Sequence, residues 1–157
     1  MGTYERQFET NSPEQTAGLA QRIGAMLQPG DTLMLDGPVG AGKTHFARSL
    51  IQSVLDEPED IPSPTYTLVQ IYETRIGEIW HCDLYRLTSA EEVVELGLDA
   101  AFDTAVCLIE WPDRLGDQAP ADAVQLGFTV TDDRSRRIHV TGPEMVCGRL
   151  FGKVDCE

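Results

Sequence analysis

Positive charge is scarce in this chain: 157 residues carry 12 Lys plus Arg against 26 Asp plus Glu, a formal net charge of -14, and the lysines are only Lys43 and Lys153. On average such a surface repels nucleic acids, anionic membranes and other polyanions, so any work on RNA needs another subunit to hold the RNA. Cysteine and histidine are thin as well. Cys82, Cys107, Cys147 and Cys156 stand far apart with no C-x-x-C pair, and His45, His81 and His139 are scattered, spacings that build no zinc site. Cys82 and Cys107 fall in apolar, strand-like runs and read as small buried hydrophobes. No apolar run has the length of a membrane span and no signal peptide is legible, so a reducing cytoplasm is the expected setting. The length suits one domain with its own core. Residues 1–157 are expected to form it, with Val154–Glu157 frayed.

The chain supplies clear punctuation. Tyr4–Thr10 reads as an edge strand; Ser12-Pro13-Glu14-Gln15 then offers an N-cap, a proline at the first helical position and a capping-box glutamine. Leu19, Ala20, Ile23 and Leu27 continue at helical spacing until Pro29-Gly30. Thr32–Asp36 is a short apolar strand, and a helix is expected from about Lys43 to Leu55. Asp56–Pro64 is acidic and proline-bearing, an exposed connection. Tyr66–Glu73 and Glu78–Asp83 predict a hairpin turning at 74–77, and Ser89-Ala90-Glu91-Glu92 a short helix ending near Glu95 before Gly97. Ala105–Ile109 reads as a strand covered on both faces. Ala123–Thr131 and Arg136–Thr141 form an expected second hairpin, with Arg134, Arg136 and Arg137 on a solvated tip beside Asp132 and Asp133, and a last helix starts at Pro143. The fold class is α/β: a P-loop NTPase-like, three-layer domain with a mixed sheet and helices on both faces.

Between the strand and the helix lies Gly37-Pro38-Val39-Gly40-Ala41-Gly42-Lys43-Thr44, the pattern G-x-x-x-x-G-K-[ST]. Each position has a physical task. The glycines let backbone N–H groups of Gly37, Val39, Gly40, Ala41 and Gly42 turn towards phosphate, Lys43 places a charge on the β- and γ-phosphates, and Thr44 offers a hydroxyl to Mg²⁺. The following helix adds the positive end of its dipole. ATP and Mg²⁺ are the expected ligands.

Three further segments, Ser63-Pro64-Thr65-Tyr66-Thr67-Leu68, His81-Cys82-Asp83-Leu84-Tyr85-Arg86 and Glu110-Trp111-Pro112, stand behind this loop. Together with it they resemble the TsaE (YjeE) family, bacterial P-loop ATPases required to form threonylcarbamoyladenosine next to the tRNA anticodon. The resemblance covers roughly residues 5 to 130 and is weakest in the C-terminal hairpin and helix. It implies an accessory ATPase, weakly active alone, that joins TsaD and TsaB and meets tRNA only through that complex, with no membrane or DNA contact. Two positions depart from the family pattern: Pro38 stands where an acid is usual, and His45 where Thr or Ser is usual. Pro38 removes one donor from the loop's outer edge; His45 is placed either at the nucleotide or facing solvent.

The remaining candidates carry two readings each. Thr65 is a switch residue reaching Mg²⁺ or the γ-phosphate, or a turn cap. Asp83 and Glu110 both end strands, where open α/β sheets bind ligands, and the other reading of either is a helix-capping or turn-stabilising acid. Asp83 is expected in the Mg²⁺ shell with Arg86 near enough to position it, and Glu110 as the carboxylate orienting the attacking water, although both belong to the candidate metal set with Thr44. Lys43, Asp83 and Glu110 form the catalytic set. Trp111 either packs under the next loop or covers part of the nucleotide or partner site. The rival functions are a small-molecule or nucleotide kinase, which lacks here an arginine-rich lid, and a nucleotide-dependent scaffold without turnover.

Overall fold

The computed structural model describes residues 2–38, 40–57, 59, 61, 68–87, 89 and 91–152. Along the chain run β1 (Thr3–Thr10), α1 (Pro13–Gly24), β2 (Thr32–Asp36), α2 (Lys43–Val54), β3 (Val69–Thr74), β4 (Gly77–Asp83), α3 (Glu91–Glu95), α4 (Leu98–Thr104), β5 (Val106–Glu110), a 3₁₀ segment (Pro112–Gln118), β6 (Val124–Val130), β7 (Arg136–Pro143) and α5 (Glu144–Phe151). The strands make one mixed sheet of seven in the order β1-β7-β6-β2-β5-β4-β3. β6, β2, β5 and β4 are parallel, while β7 and β1 on one side and β3 on the other run antiparallel to their neighbours.

Side-chain alternation divides the central strands between two cores. Leu33, Leu35, Val106 and Leu108 face one side and pack with Leu19 and Ile23 of α1, Phe46, Leu50 and Ile51 of α2, and Leu150 and Phe151 of α5. Met34, Cys107 and Ile109 face the other, under Val93 of α3, Leu98 and Phe102 of α4, and Leu115 of the 3₁₀ segment. Helices therefore cover both faces, and every residue of β5 is buried. No helix among the described residues is long and apolar enough to cross a membrane.

Local chemistry accounts for the boundaries. Ser12 Oγ accepts the N–H of Gln15 at 3.1 Å while Gln15 Oε1 accepts that of Asn11 at 2.7 Å, a reciprocal cap that starts α1. The helix ends at Gly24, so Leu27 joins the core from the connection that follows it. The β3–β4 hairpin turns through Arg75-Ile76, with Gly77 at φ +106°. Beyond Glu95 the chain departs from the expected single short helix. Gly97 adopts φ +84° and opens α4, whose Leu98, Ala101 and Phe102 are buried at helical spacing. Arg149 of α5 grips Asp31 with two hydrogen bonds of 2.8 and 2.7 Å, tying the last helix to the start of β2.

Candidate functional site

The loop from Gly37 to Gly42 leaves the carboxyl end of β2, the central parallel strand, and feeds α2. Its three described glycines differ in what surrounds them. Gly37, at φ +145°, lies so close to β6 that a Cβ would sit 2.7 Å from the Phe128 carbonyl oxygen. Gly40, at φ +85°, has nothing within 4 Å of where a Cβ would point. Gly42, at φ +100°, is the N-cap of α2 and brings no side-chain hydrogen bond to it, leaving the first-turn donors to another acceptor. Phe46 fixes the helix start by an edge-on contact with Phe128, ring centroids 5.4 Å apart.

Beside the loop opens a cavity of ≈ 600 Å³ whose wall includes Gly40, Gly42, Lys43, Thr44, Asp83 and Glu110. Thr44 Oγ1 donates to Glu110 Oε1 at 2.8 Å, joining the first turn of α2 to the carboxyl end of β5. The other oxygen, Oε2, lies 2.7 Å from His81 Nε2 of β4. Both partners are out of solvent, Glu110 at 2% exposure and His81 at 0%. His81 Nδ1 has no hydrogen-bond partner, so the ring is held in the site through its Nε2 contact with Glu110. Asp83 is the register neighbour of Glu110 across β4 and β5; its Oδ1 accepts the N–H of Tyr85 at 3.0 Å, which also makes it a turn-stabilising acid.

Lys43 is turned away from open solvent. Its ammonium donates to the Gly37 carbonyl at 2.6 Å and stands 3.6 Å from the centroid of the Trp111 ring. Burial lowers its pKa from the ordinary lysine value, against the opposing pull of Glu110, Asp36, Asp83 and Asp113. Trp111 itself is held at φ +60°, an uncommon conformation for a bulky residue, directly after Glu110. Its ring stacks at a tilt on Tyr85, centroids 4.9 Å apart.

The structure thus brings Gly40, Gly42, Lys43, Thr44, His45, Asp83, Glu110 and Trp111 to one cavity, while Gly37 and Ala41 lie off its wall. His45 is half-buried, its Nε2 2.9 Å from the Pro13 carbonyl at the start of α1. Val39 and Thr65 lie outside the described residues. The reading of the arginine cluster as a solvated tip holds for Arg134 and Arg137, which are exposed and pair with Glu14 at 2.9 Å and Glu9 at 3.0 Å. It is corrected for Arg136, which lines the cavity beside Arg134 and donates to the carbonyls of Ala41 at 3.0 Å and Gly40 at 3.3 Å. Sequence reading also missed the His81–Glu110 pair. Its available signal was a histidine two residues before a strand-ending acid, in a strand otherwise apolar on that stretch.

The family described as "Threonylcarbamoyl adenosine biosynthesis protein TsaE" matches residues 10–138. Among curated relatives, the tRNA threonylcarbamoyladenosine biosynthesis protein TsaE of Rickettsia bellii is 39% identical over 131 residues, 83% of this chain and 91% of that protein. The protein of the same description from Bacillus subtilis is 34% identical over 148 residues, 91% of this chain and 92% of its own. Among solved structures, that of Bacillus subtilis YdiB superposes with a TM-score of 0.81 at 29% identity, covering 99% of both chains.

Proposed function

Since the chain belongs to the TsaE family, we propose that it is the ATP-binding and ATP-hydrolysing accessory subunit of tRNA threonylcarbamoyladenosine formation, acting with TsaD and TsaB and meeting tRNA only within their complex. One observation carries the chemical part: the 2.8 Å bond from Thr44 to Glu110 puts a loop hydroxyl and a buried carboxylate side by side at the mouth of an uncapped helix. The residues fit ATP and Mg²⁺, because Gly40, with open space where a Cβ would point, lines a concavity walled by the helix start and two carboxylates. When bound, Mg²⁺ supplies neutralisation of charge between the β- and γ-phosphates.

The chain's own groups then divide the work. Gly40, Gly42 and the first turn of α2 direct N–H groups at the phosphates. The Lys43 ammonium leaves the Gly37 carbonyl and the Trp111 ring for the phosphate oxygens, a stronger partner for a desolvated cation than either. Glu110, already bonded to Thr44, belongs with it in the Mg²⁺ shell, and His81 keeps the carboxylate from rotating. Asp83 lines the same cavity one strand further out and is the carboxylate left to orient the attacking water. This exchanges the two roles expected from sequence, on the strength of the Thr44 contact.

The test is ATP turnover by the isolated chain and after adding TsaD, TsaB and tRNA, with Lys43→Ala alongside. Slow hydrolysis alone, stimulation by the partners and none in the variant are expected. Unchanged turnover in Lys43→Ala removes the loop from the mechanism, and no stimulation removes the accessory role.

A further inference from the structure

Arg136, the first residue of β7, ties the phosphate loop to the β6–β7 hairpin by hydrogen bonds to main-chain carbonyls: Ala41 at 3.0 Å from Nε, Gly40 at 3.3 Å from Nη2, and Asp132 at 3.1 Å and Ser135 at 2.9 Å from Nη1. We propose that Arg136 is a positioning residue for phosphate binding, which shapes the loop by holding the carbonyls of Gly40 and Ala41 towards the β6–β7 hairpin.

The argument is one of peptide geometry. In a trans peptide the C=O and the N–H of the next residue point in opposite directions. A loop that aims N–H groups inwards at an anion must therefore turn carbonyls outwards, where they repel one another and need donors of their own. Here the Gly40–Ala41 peptide is pinned at both ends, its carbonyl on Arg136 and its N–H on the Pro38 carbonyl at 3.1 Å. The Ala41–Gly42 peptide has its carbonyl on Arg136, which sends the Gly42 N–H the opposite way, away from the guanidinium. With positive φ at Gly40 and Gly42, both glycines are otherwise free to flip. A planar guanidinium spans two neighbouring carbonyls at once; an ammonium on a flexible stem does not, so the role depends on the fork rather than on the charge.

The proposal rests on the loop being the phosphate site and needs neither metal nor partner. Arg136→Lys and Arg136→Met are titrated calorimetrically with ADP and with inorganic pyrophosphate, both without metal, and their amide spectra are compared with wild type. Both variants should weaken ADP by about tenfold or more and pyrophosphate by the same factor, with amide signals of Gly40, Ala41 and Gly42 shifted and those of β6 and β7 in place. Wild-type affinity in Arg136→Lys overturns the proposal, because charge alone then suffices. A loss for ADP but not for pyrophosphate also overturns it, since Arg136 would then act on the nucleoside. Shifts spread through β6 and β7 reduce the residue to a fold contact. If Arg136→Met does not fold, Arg136→Lys decides. Failure of the wild type to bind pyrophosphate at all refutes the phosphate-loop reading itself.

Discussion

Replacing Glu110 by Leu strands a histidine. The carboxylate accepts from the Thr44 hydroxyl at 2.8 Å and lies 2.7 Å from His81 Nε2, and the imidazole is fully buried with Nδ1 already unpartnered. After Glu110→Leu neither ring nitrogen has a partner. Leaving the buried ring without its last partner costs about 1–3 kcal/mol and the lost Thr44 hydrogen bond about 1 more, so a loss of about 3 kcal/mol is expected. For a chain of this size that corresponds to a Tm lower by about 6–12 °C. His81→Leu alone leaves a buried carboxylate oxygen unpaired and should cost about 2–3 kcal/mol. Adding His81→Leu to Glu110→Leu removes the stranded ring, so the double variant should be more stable than Glu110→Leu by about 1–3 kcal/mol. Urea unfolding of the four proteins, free of nucleotide, closes the cycle. A coupling of about 2 kcal/mol or more is expected, whereas additivity within about 0.5 kcal/mol would show that the two side chains do not share their burial cost.

Other outcomes follow from the same geometry. Glu110→Gln should raise the Mg²⁺ concentration needed for ATP binding, while Asp83→Asn should leave binding near wild type and lower single-turnover hydrolysis in the assembled complex by about 10²- to 10⁴-fold; the opposite pattern would return the roles to their sequence-based order. Burial lowers the Lys43 pKa below 10.5, so between the lowered value and 10.5 the unfolded chain holds more protons than the folded one, and this residue's contribution to nucleotide-free stability rises with pH. Phosphate restores the ammonium, so ADP binding in that window should take up protons in calorimetry across buffers of different ionisation enthalpy, an uptake that Lys43→Met should lack. Burial pushes the Cys107 thiol up to about 12, that of Cys147 to about 11 and that of Cys82 well above its usual value, so peptide mapping after treatment of the folded protein with a thiol reagent should find all three unlabelled. Labelling of any of them in the native state would refute their role as buried packing residues.

What was legible in the sequence was what short-range physics decides. The Ser12–Gln15 box states its own hydrogen bonds, the Gly37–Thr44 spacing states a strand, a loop and a helix, and the unbroken apolar run ending at Glu110 states a strand covered twice. What escaped depends on which strands become neighbours. His81 and Glu110 meet only because β4 and β5 pair in parallel, and Arg136 reaches the loop only because β7 folds back beside β6, itself next to β2. No local pattern encodes those adjacencies. The helix α4 was a different kind of miss: Leu98, Ala101 and Phe102 do recur at helical spacing, but Gly97 read as an ending although its positive φ opens the next helix.

The glycines of the loop motif answer to two separate demands. At Gly37 a methyl group would strike the backbone of β6, whereas at Gly40 it would enter open space. The consequence is for how mutations in this family are interpreted. A census of tolerated substitutions along the loop, scored once for soluble protein and once for nucleotide binding, should split a single consensus string in two. Gly37 would be depleted strongly in both scores, as a keystone of the sheet would be, and Gly40, where only the positive φ opposes a side chain, more weakly in the first, so a sequence that has surrendered its nucleotide would hold the first glycine more firmly than the other.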